Sequence, residues 1–390
     1  MEKLVQRRFW LEQIEQAWQR RSIIWLSGVR RTGKTSLCRT LEKIEYFDCE
    51  LPRIRKLMND PEEFLASLEG KRVVLDEIHR LRAPAELLKI AADHFPNVKI
   101  LATGSSTLSA SRKFRDTLTG RKVEVWITPM MTNDLSDFQE ENLPHRFLHG
   151  GLPPFFLAES LPEKDFQEWI DAYWAKDIQE LFRLERRYSF QKFVELLMAQ
   201  SGGIFEATQF TADCEVSRLT IQNYLRVLEA TFVAHIIRPF STHRPTEIVS
   251  APKVYGFDTG FVCYHRGWHA LRTEDLGSLW EHFVLNEIHA KFQTRAIRYW
   301  RNKSGHELDF VLMKRGLPPT AIECKWSSNS FDPAHLKAFR RAYPEGRNFV
   351  VSHDVDRSHK QHFGEILVEY LTLSNLIQCL GKLDTGRIQS

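Results

Sequence analysis

Gly28-Val29-Arg30-Arg31-Thr32-Gly33-Lys34-Thr35 directly follows the apolar run Ile23-Ile24-Trp25-Leu26, and this stretch decides how the chain is read. The spacing fits G-x-x-x-x-G-K-[ST], a phosphate-binding loop joining a buried strand to a helix. Small residues let consecutive backbone N–H groups curl around phosphates, while Lys34 supplies a mobile positive charge. Thr35 is the expected holder of Mg²⁺. No Gly or Pro interrupts Lys34 to Leu41, so a helix can start at once, with its N-terminal dipole favouring an anion. Gly28, Arg30, Arg31, Thr32, Gly33, Lys34, Thr35 and Ser36 are therefore the expected contacts of a nucleoside triphosphate.

A phosphate loop needs an acidic strand to position Mg²⁺ and the attacking water. Arg72-Val73-Val74-Leu75-Asp76-Glu77 supplies one. Its three apolar residues suit a buried parallel strand; Asp76 is expected to hold the Mg²⁺ water shell and Glu77 to polarise water. Val98-Lys99-Ile100-Leu101-Ala102-Thr103-Gly104-Ser105-Ser106 is a further strand ending in hydroxyls, with Thr103 and Ser105 as candidates to sense the γ-phosphate. This order of elements predicts a parallel sheet covered by helices, with ligand at the strand carboxyl ends.

The 390 residues allow two to four domains, and 43% hydrophobic with 27% charged residues is the balance of a globular protein. A net charge of +4 is no electrostatic signature of nucleic-acid binding, so that claim must rest on local patches. No apolar run approaches a membrane span, and the first residues lack the apolar core of a signal peptide, so no membrane partner and a cytoplasmic location are expected. The six cysteines are far apart without metal-ligand spacing, which suits reduced thiols.

The order and content of the first segment resemble the AAA+ class of P-loop ATPases. That resemblance implies ATP as the nucleotide, a ring or hexamer of identical chains, and an arginine supplied by a neighbouring subunit. Arg121, between Thr119-Gly120 and the strand-like Val123-Glu124-Val125-Trp126-Ile127, is the first candidate and Arg112 the second. Residues 131–190 follow as a helical lid, with Phe166 to Arg183 helical and Lys176 and Arg183 as candidates to reach the nucleotide.

Residues 191–252 change to short helices and a turn. In Arg218–Glu229, Ile221, Leu225 and Leu228 fall at helical spacing, while Arg218, Gln222, Asn223 and Arg226 lie mostly opposite, as in a recognition helix. Phe232–Ile237 is expected to pair with Lys253-Val254-Tyr255 around a polar loop holding His243 and Arg244, giving a winged-helix shape that contacts DNA. Helical bundles of this kind also serve as protein-interaction modules.

Residues 253–390 carry a second chemistry. Arg298–Arg301, the turn Asn302-Lys303-Ser304-Gly305, and Glu307–Leu312 predict a hairpin, followed by a third strand Ala321–Trp326. Alternation puts Glu307 and Asp309 on one face and Leu308, Phe310 and Leu312 on the other; Glu323 and Lys325 likewise share a face. Joining the polar faces gathers Asp309, Glu323 and Lys325 at one point, where two carboxylates can hold Mg²⁺ or Mn²⁺ and the ammonium can steer a metal-bound hydroxide. Glu281 lies four and seven residues before Leu285 and Ile288 on a helix, where burial demands a partner. The set resembles the PD-(D/E)XK nuclease superfamily, with Asp309 as motif acid, Glu323-Cys324-Lys325 as E-x-K and Glu281 as helical acid.

Over nearly its full length the chain resembles a bacterial and archaeal family of AAA+-type ATPases with a winged-helix segment and a C-terminal restriction-endonuclease-like domain. The motifs include Leu75-Asp76-Glu77, Ala102–Ser106, Gly150-Gly151-Leu152-Pro153, Lys253–Gly260 and Ile322–Lys325; Gly256-Phe257 before Asp258 departs from the pattern. The resemblance implies an α/β protein: a P-loop AAA+-like ATPase core at 1–130, the helical lid, the winged helix, and an α/β nuclease-like domain at 253–390. It also implies an oligomeric, ATP-hydrolysing protein acting on DNA, branched or single-stranded. A regulatory switch ATPase whose nuclease fold is only a DNA clamp is the rival expectation.

Overall fold

β1 (Ile23–Ser27) is buried along its whole length, as expected of a strand with neighbours on both sides and helices above and below. In the computed structural model, which describes residues 4–104, 112–179, 186–242, 251–314 and 316–384, β1 pairs in parallel with β4 (Lys99–Thr103) and β5 (Lys122–Trp126). β3 (Arg72–Asp76) joins β4, and β2 (Glu45–Asp48) joins β3, again in parallel. The sheet order is β2-β3-β4-β1-β5, so the chain fills one side inward to β4 and then crosses β1 to place β5. That reversal marks where a ligand binds, at the carboxyl ends of the strands.

Alternating residues of this sheet meet helices. Ile23, Trp25, Val73, Leu75, Ile100 and Ala102 share one core cluster with Phe64, Leu65, Leu87, Leu88 and Phe114, contributed by the helices Pro61–Ala66, Pro84–His94 and Arg112–Leu118. After β5 the chain turns helical, with Thr132–Asp137, Leu143–His149, Pro153–Phe156 and Glu163–Tyr173. The last of these loosens into a π-helical turn, Trp174–Ile178. Such turns widen the helix and often mark functional positions.

The described chain packs as two compact units. One unit holds 1–145, 149–192 and 222–233, the other 146–148, 193–221 and 234–390. The second unit is built on a nine-stranded mixed sheet in the order β13-β14-β12-β11-β10-β9-β7-β8-β6. Its strands are β6 (Gly203–Ile204), β7 (Ala234–Pro239), β8 (Lys253–Gly256), β9 (Arg298–Arg301), β10 (Glu307–Leu312), β11 (Thr320–Lys325), β12 (Asn348–Ser352), β13 (His359–Phe363) and β14 (Ile366–Leu371). β7 and β8 do pair as the wing required, antiparallel with Ile236 opposite Val254. They do not stand apart as a wing, because β7 also pairs in parallel with β9, Arg238 opposite Arg298. The strand edge that a free wing would expose is closed by the C-terminal sheet.

The β9–β10 hairpin and its antiparallel neighbour β11 occupy the expected stretches. One detail differs. The register of β9 and β10 shifts between Leu308 and Val311, so Leu308 and Val311, not Leu308, Phe310 and Leu312, share one core cluster. An extra residue in one strand reverses the alternation beyond it and re-aims its neighbours; here the irregularity brackets Asp309. The helix Thr273–Phe292 packs against β11. From Leu279 to Ala290 it is buried on nearly every side, with Glu281 the one half-buried exception.

Candidate active site

The loop after β1 is shaped by positions that ordinary side chains resist. Gly28 has φ +141°, and a Cβ there would sit 2.5 Å from the Ile127 carbonyl oxygen. Gly33, at φ +88°, precedes the helix Lys34–Arg39, and even Arg31 takes a left-handed φ of 66°. The Thr32 hydroxyl donates to the Val29 carbonyl at 2.9 Å and braces the curl from within. The Lys34 ammonium donates to the carbonyls of Gly28 and Val29 at 2.9 and 3.0 Å. Burial pulls its pKa below the usual lysine value, with the charges of Glu77 and Asp177 opposing.

A cavity of about 780 Å³ opens at this loop, with Gly33, Lys34, Thr35, Glu77 and Lys176 on its polar side. Leu4, Val5, Phe138, Pro153, Pro154 and Leu157 give it an apolar side. The volume lies in the range of cofactor sites. The glycine conformations and the Lys34 ammonium, paired among the described residues to loop carbonyls, fit a polyphosphate. Residues 28–36 would hold the phosphates, and Thr35 with Asp76 would hold Mg²⁺.

The acidic strand delivers its carboxylate to a closed network. Asp76 is 3% exposed; its two oxygens accept from the Thr103 hydroxyl and the Tyr46 hydroxyl. Thr103 Oγ1 also accepts from the Glu77 backbone N–H at 3.1 Å. Thr103 is fully buried and braces the two acids; Gly104, not Thr103, lines the cavity. Glu77 sits at φ +55°, and its carboxylate meets His79 Nδ1 at 3.0 Å. Burial pushes the Glu77 carboxyl up, but the His79 hydrogen bond and the charges of His79, Lys34 and Arg30 outweigh it and hold the group below its ordinary value.

Long-range contacts hold the loop from outside. Arg7, 3% exposed, makes a two-point pair with buried Asp134 at 2.8 and 2.9 Å and donates to the Thr32 carbonyl at 2.6 Å. Arg30 pairs with Asp177 at 3.0 Å, and the Trp169 indole donates to the Arg30 carbonyl at 3.0 Å. Arg31 lies 3.6 Å from Asp165. The π-helical turn thus brings Lys176 and Asp177 to the nucleotide side. Arg121 is held in a two-point pair with Asp93 at 2.7 and 3.1 Å and is absent from the cavity lining of its own chain. Ser105, Arg183, His243 and Arg244 fall outside the described residues, as does the side chain of Arg112.

Arg7, Tyr46, His79, Asp134 and Asp177 were not singled out from the sequence. Only His79 carried a usable signal, its place two residues after Glu77. The others meet the loop through folds of the chain: Arg7 and Asp134 are 127 positions apart.

In the second unit, Asp309, Glu323 and Lys325 converge. Lys325 Nζ is 2.7 Å from Glu323 and 3.6 Å from Asp309, and Asp309 accepts from the Cys324 backbone N–H at 2.7 Å. Glu281 joins from its helix, accepting from the Tyr255 hydroxyl and from Lys253 at 3.3 Å. Burial and the neighbouring Asp309 charge push Glu323 up to about 8. Burial acts the same way on Asp309, but Lys325, Lys253 and the Cys324 N–H outweigh it and hold that carboxyl below its usual range. Glu281 is raised by burial and by Asp309. Two neighbouring carboxyls pushed in opposite directions form the pattern of an acid and a base. Among the described residues, no group of three or more His, Cys, Asp or Glu side chains is arranged to hold a metal ion; a cation here would rest on two carboxylates.

Lys253 and Tyr255 pair with β7 as expected and also belong to this cluster. Farther along the same motif, a Cβ at Gly256 would run into Met198 Sδ, which gives the glycine its reason. Asp258 caps the next helix through the Gly260 N–H at 2.9 Å and faces Arg146 at 3.5 Å. On the helix Arg218–Ala230, Ile221, Leu225 and Leu228 are buried while Arg218, Asn223 and Arg226 are exposed and Gln222 half-buried. All six cysteines are free thiols. Among the described residues no helix is long and apolar enough to cross a membrane.

Three family models match the chain: an AAA domain at residues 20–136, a domain of unknown function (DUF8612) at 140–272, and a domain of unknown function (DUF4143) at 276–372. Two curated proteins, the uncharacterized protein Rv2008c of Mycobacterium tuberculosis and its counterpart Mb2031c of Mycobacterium bovis, are each 27% identical over 327 residues, covering 81% of this chain and 73% of theirs. Among solved structures, the Walker-type ATPase PABY2304 of Pyrococcus abyssi is similar with a TM-score of 0.43 and 16% identity, over 68% of this chain and 97% of its own. With the loop at Gly28–Thr35, the acids at the end of β3 and the AAA-domain match, the N-terminal part of this chain is an AAA+-like P-loop ATPase core, a type that uses ATP with a divalent metal, typically Mg²⁺.

Proposed function

We propose that this protein is an ATP-driven motor or remodeller of DNA, of helicase or branch-migration type, whose C-terminal acid and lysine cluster binds or cleaves that DNA. The observation that carries the reading is the meeting of Asp309, Glu323 and Lys325, with Lys325 2.7 and 3.6 Å from the two carboxylates, on a chain that also has a P-loop ATPase core. Two carboxyls and an ammonium at one point suit a phosphodiester. In this reading the chain works as a cytoplasmic homo-oligomer, a ring or hexamer, with Arg121 released from Asp93 to act on a neighbour's nucleotide. The exposed Arg218, Asn223 and Arg226 face the DNA.

In this reading the loop and the two acids take the following roles in ATP hydrolysis. Lys34 exchanges the Gly28 and Val29 carbonyls for phosphate oxygens, and Thr35 and Asp76 orient the metal. Bound Mg²⁺ neutralises charge on the phosphates. Glu77 takes up a water proton once its contact with His79 opens, and Thr103 keeps Asp76 and the Glu77 backbone in register.

A second reading, a slow regulatory switch with the nuclease-like fold as a DNA clamp, is favoured by one feature. Asp76, Glu77 and Lys34 all have intramolecular partners that turnover must break. One gel assay separates the two: linear, forked and four-way DNA with and without ATP and divalent metal, alongside the hydrolysis rate. The motor predicts hydrolysis stimulated at least several-fold by DNA and abolished in Lys34→Ala, with any cutting lost in Asp309→Asn. DNA-indifferent turnover would sink it.

A further inference from the structure

The acid cluster of the second unit holds two lysines, and only Lys325 belongs to the chemistry described above. Lys253 is 2.5 Å from Glu307 and 3.3 Å from Glu281, and its ammonium also reaches the Tyr255 hydroxyl at 3.5 Å. Its side chain is 7% exposed. Arg301 lies 3.9 Å from Glu307 at that end. The four carboxylates Glu281, Glu307, Asp309 and Glu323 therefore divide into two pairs, one around Lys253 and one beside Lys325.

The two halves differ in how fully they are satisfied. At the Lys253 end, Glu281 has the Tyr255 hydroxyl and the ammonium, and Glu307 has the ammonium and Arg301. At the other end Glu323, 2% exposed, keeps Oε1 buried without a donor from the described residues, so only a proton shared with Asp309 or a cation can meet it. A buried carboxylate oxygen without a partner is costly and invites a proton or a cation. Lys253 cannot easily leave its place, because β8 is an interior strand that pairs at this residue with Ile204 of β6 and Ile237 of β7.

We propose that Lys253 is a built-in cation that fills the Glu281–Glu307 half of this cluster, so the site accepts at most one divalent ion, at the Asp309–Glu323 half. The ammonium supplies there the positive charge that a second metal ion would bring. Removing it frees two carboxylates, which oxygen-seeking cations such as Mn²⁺ bind readily.

The role rests on reading the cluster as a phosphodiester site, but it is tested by counting ions rather than by cleavage. Nucleotide-free full-length protein is titrated with Mn²⁺, and bound ions are counted by loss of the free-ion paramagnetic resonance signal. Lys253→Met is expected to bind one ion more than the unmodified protein, and Lys253→Met with Glu307→Gln to lose that extra ion. Because the compared chains differ only in the cluster, any ion at the P-loop cancels. Equal counts with and without Lys253→Met overturn the proposal, as do two ions in the unmodified protein that are both lost in Asp309→Asn. Should Lys253→Met fail to fold, as judged by circular dichroism, Lys253→Gln replaces it; should both fail, the unmodified count decides, one cluster ion or none supporting and two refuting. Failure of the protein both to bind and to cut DNA, with the ion count intact, would overturn the phosphodiester reading alone.

Discussion

Arg7→Ala is expected to unfold the first unit at a markedly lower temperature, through the charge it leaves behind. Arg7 and Asp134 are 3% and 0% exposed, joined by two hydrogen bonds of 2.8 and 2.9 Å. Removing one partner of a buried pair costs about 3–5 kcal/mol, because the remaining charge has lost its water and its counter-ion. Asp134 keeps two donors, the Met131 N–H at 3.1 Å and the Trp10 indole at 3.3 Å, which places the cost near the lower end, about 3 kcal/mol. For a unit of this size that is a fall of roughly 6–12 °C in melting temperature. ATP binding should weaken as well, since the Thr32 carbonyl loses its 2.6 Å donor inside the phosphate loop. Differential scanning calorimetry of the variant and of Arg7→Met with Asp134→Leu tests the cause. If an orphaned charge is responsible, the double variant recovers most of the melting temperature while its nucleotide affinity stays low. A single variant melting within about 1 °C of the unmodified protein, against the roughly 6–12 °C expected, would refute the reasoning.

Three further outcomes are expected. Gly28→Ala forces a Cβ to within 2.5 Å of the Ile127 carbonyl at φ +141°; strain of about 1–3 kcal/mol should reduce ATP affinity by roughly 5- to 150-fold in a fluorescent-nucleotide titration. Tyr46→Phe removes one of two hydroxyl donors from Asp76 and should lower stability by about 1–2 kcal/mol without nucleotide. That loss should shrink when Mg²⁺ and ATP saturate the site, because Asp76 would then have a cation to offset the lost donor; a loss unchanged by Mg²⁺ and ATP counts against Asp76 as the metal-side acid. Finally, burial holds His282 and His289 down to about 3. Their folded state is neutral where the unfolded chain binds protons, so the stability they allow is complete above about pH 6.5 and is lost as pH falls toward 3. At pH 5 the loss is about 2 kcal/mol for each histidine, and His282→Gln should flatten this slope in melts between pH 7 and pH 5.

Much of the ATPase core was legible because its chemistry is written in neighbouring residues. The loop from Gly28 to Thr35 needs glycines at set positions and a lysine after the second. The acids Asp76 and Glu77 follow three apolar residues on one strand. The β9–β10–β11 segment was legible for the same reason, since hairpin turns and alternation act over a few residues. The face assignment of β10 failed past Asp309, because a register shift costs nothing that composition records and yet reverses every side chain beyond it. The pairing of β7 with β8 was legible as well; what local sequence could not show is that β7 also joins β9, an edge offered from 60 residues later.

The local spacing of Gly28, Lys34, Asp76, Asp309, Glu323 and Lys325 was enough to point to a phosphate-binding loop with its acid and to a separate cluster of two acids and a lysine, because each depends on residues held within one loop or one pair of strands. Tertiary structure alone assigned the partners that set their charge: Arg7 with Asp134, Tyr46 and Thr103 on Asp76, and Lys253 between Glu281 and Glu307. A charge takes its energy from whatever lies within a few ångströms, and the chain brings those neighbours from as far as 127 positions away.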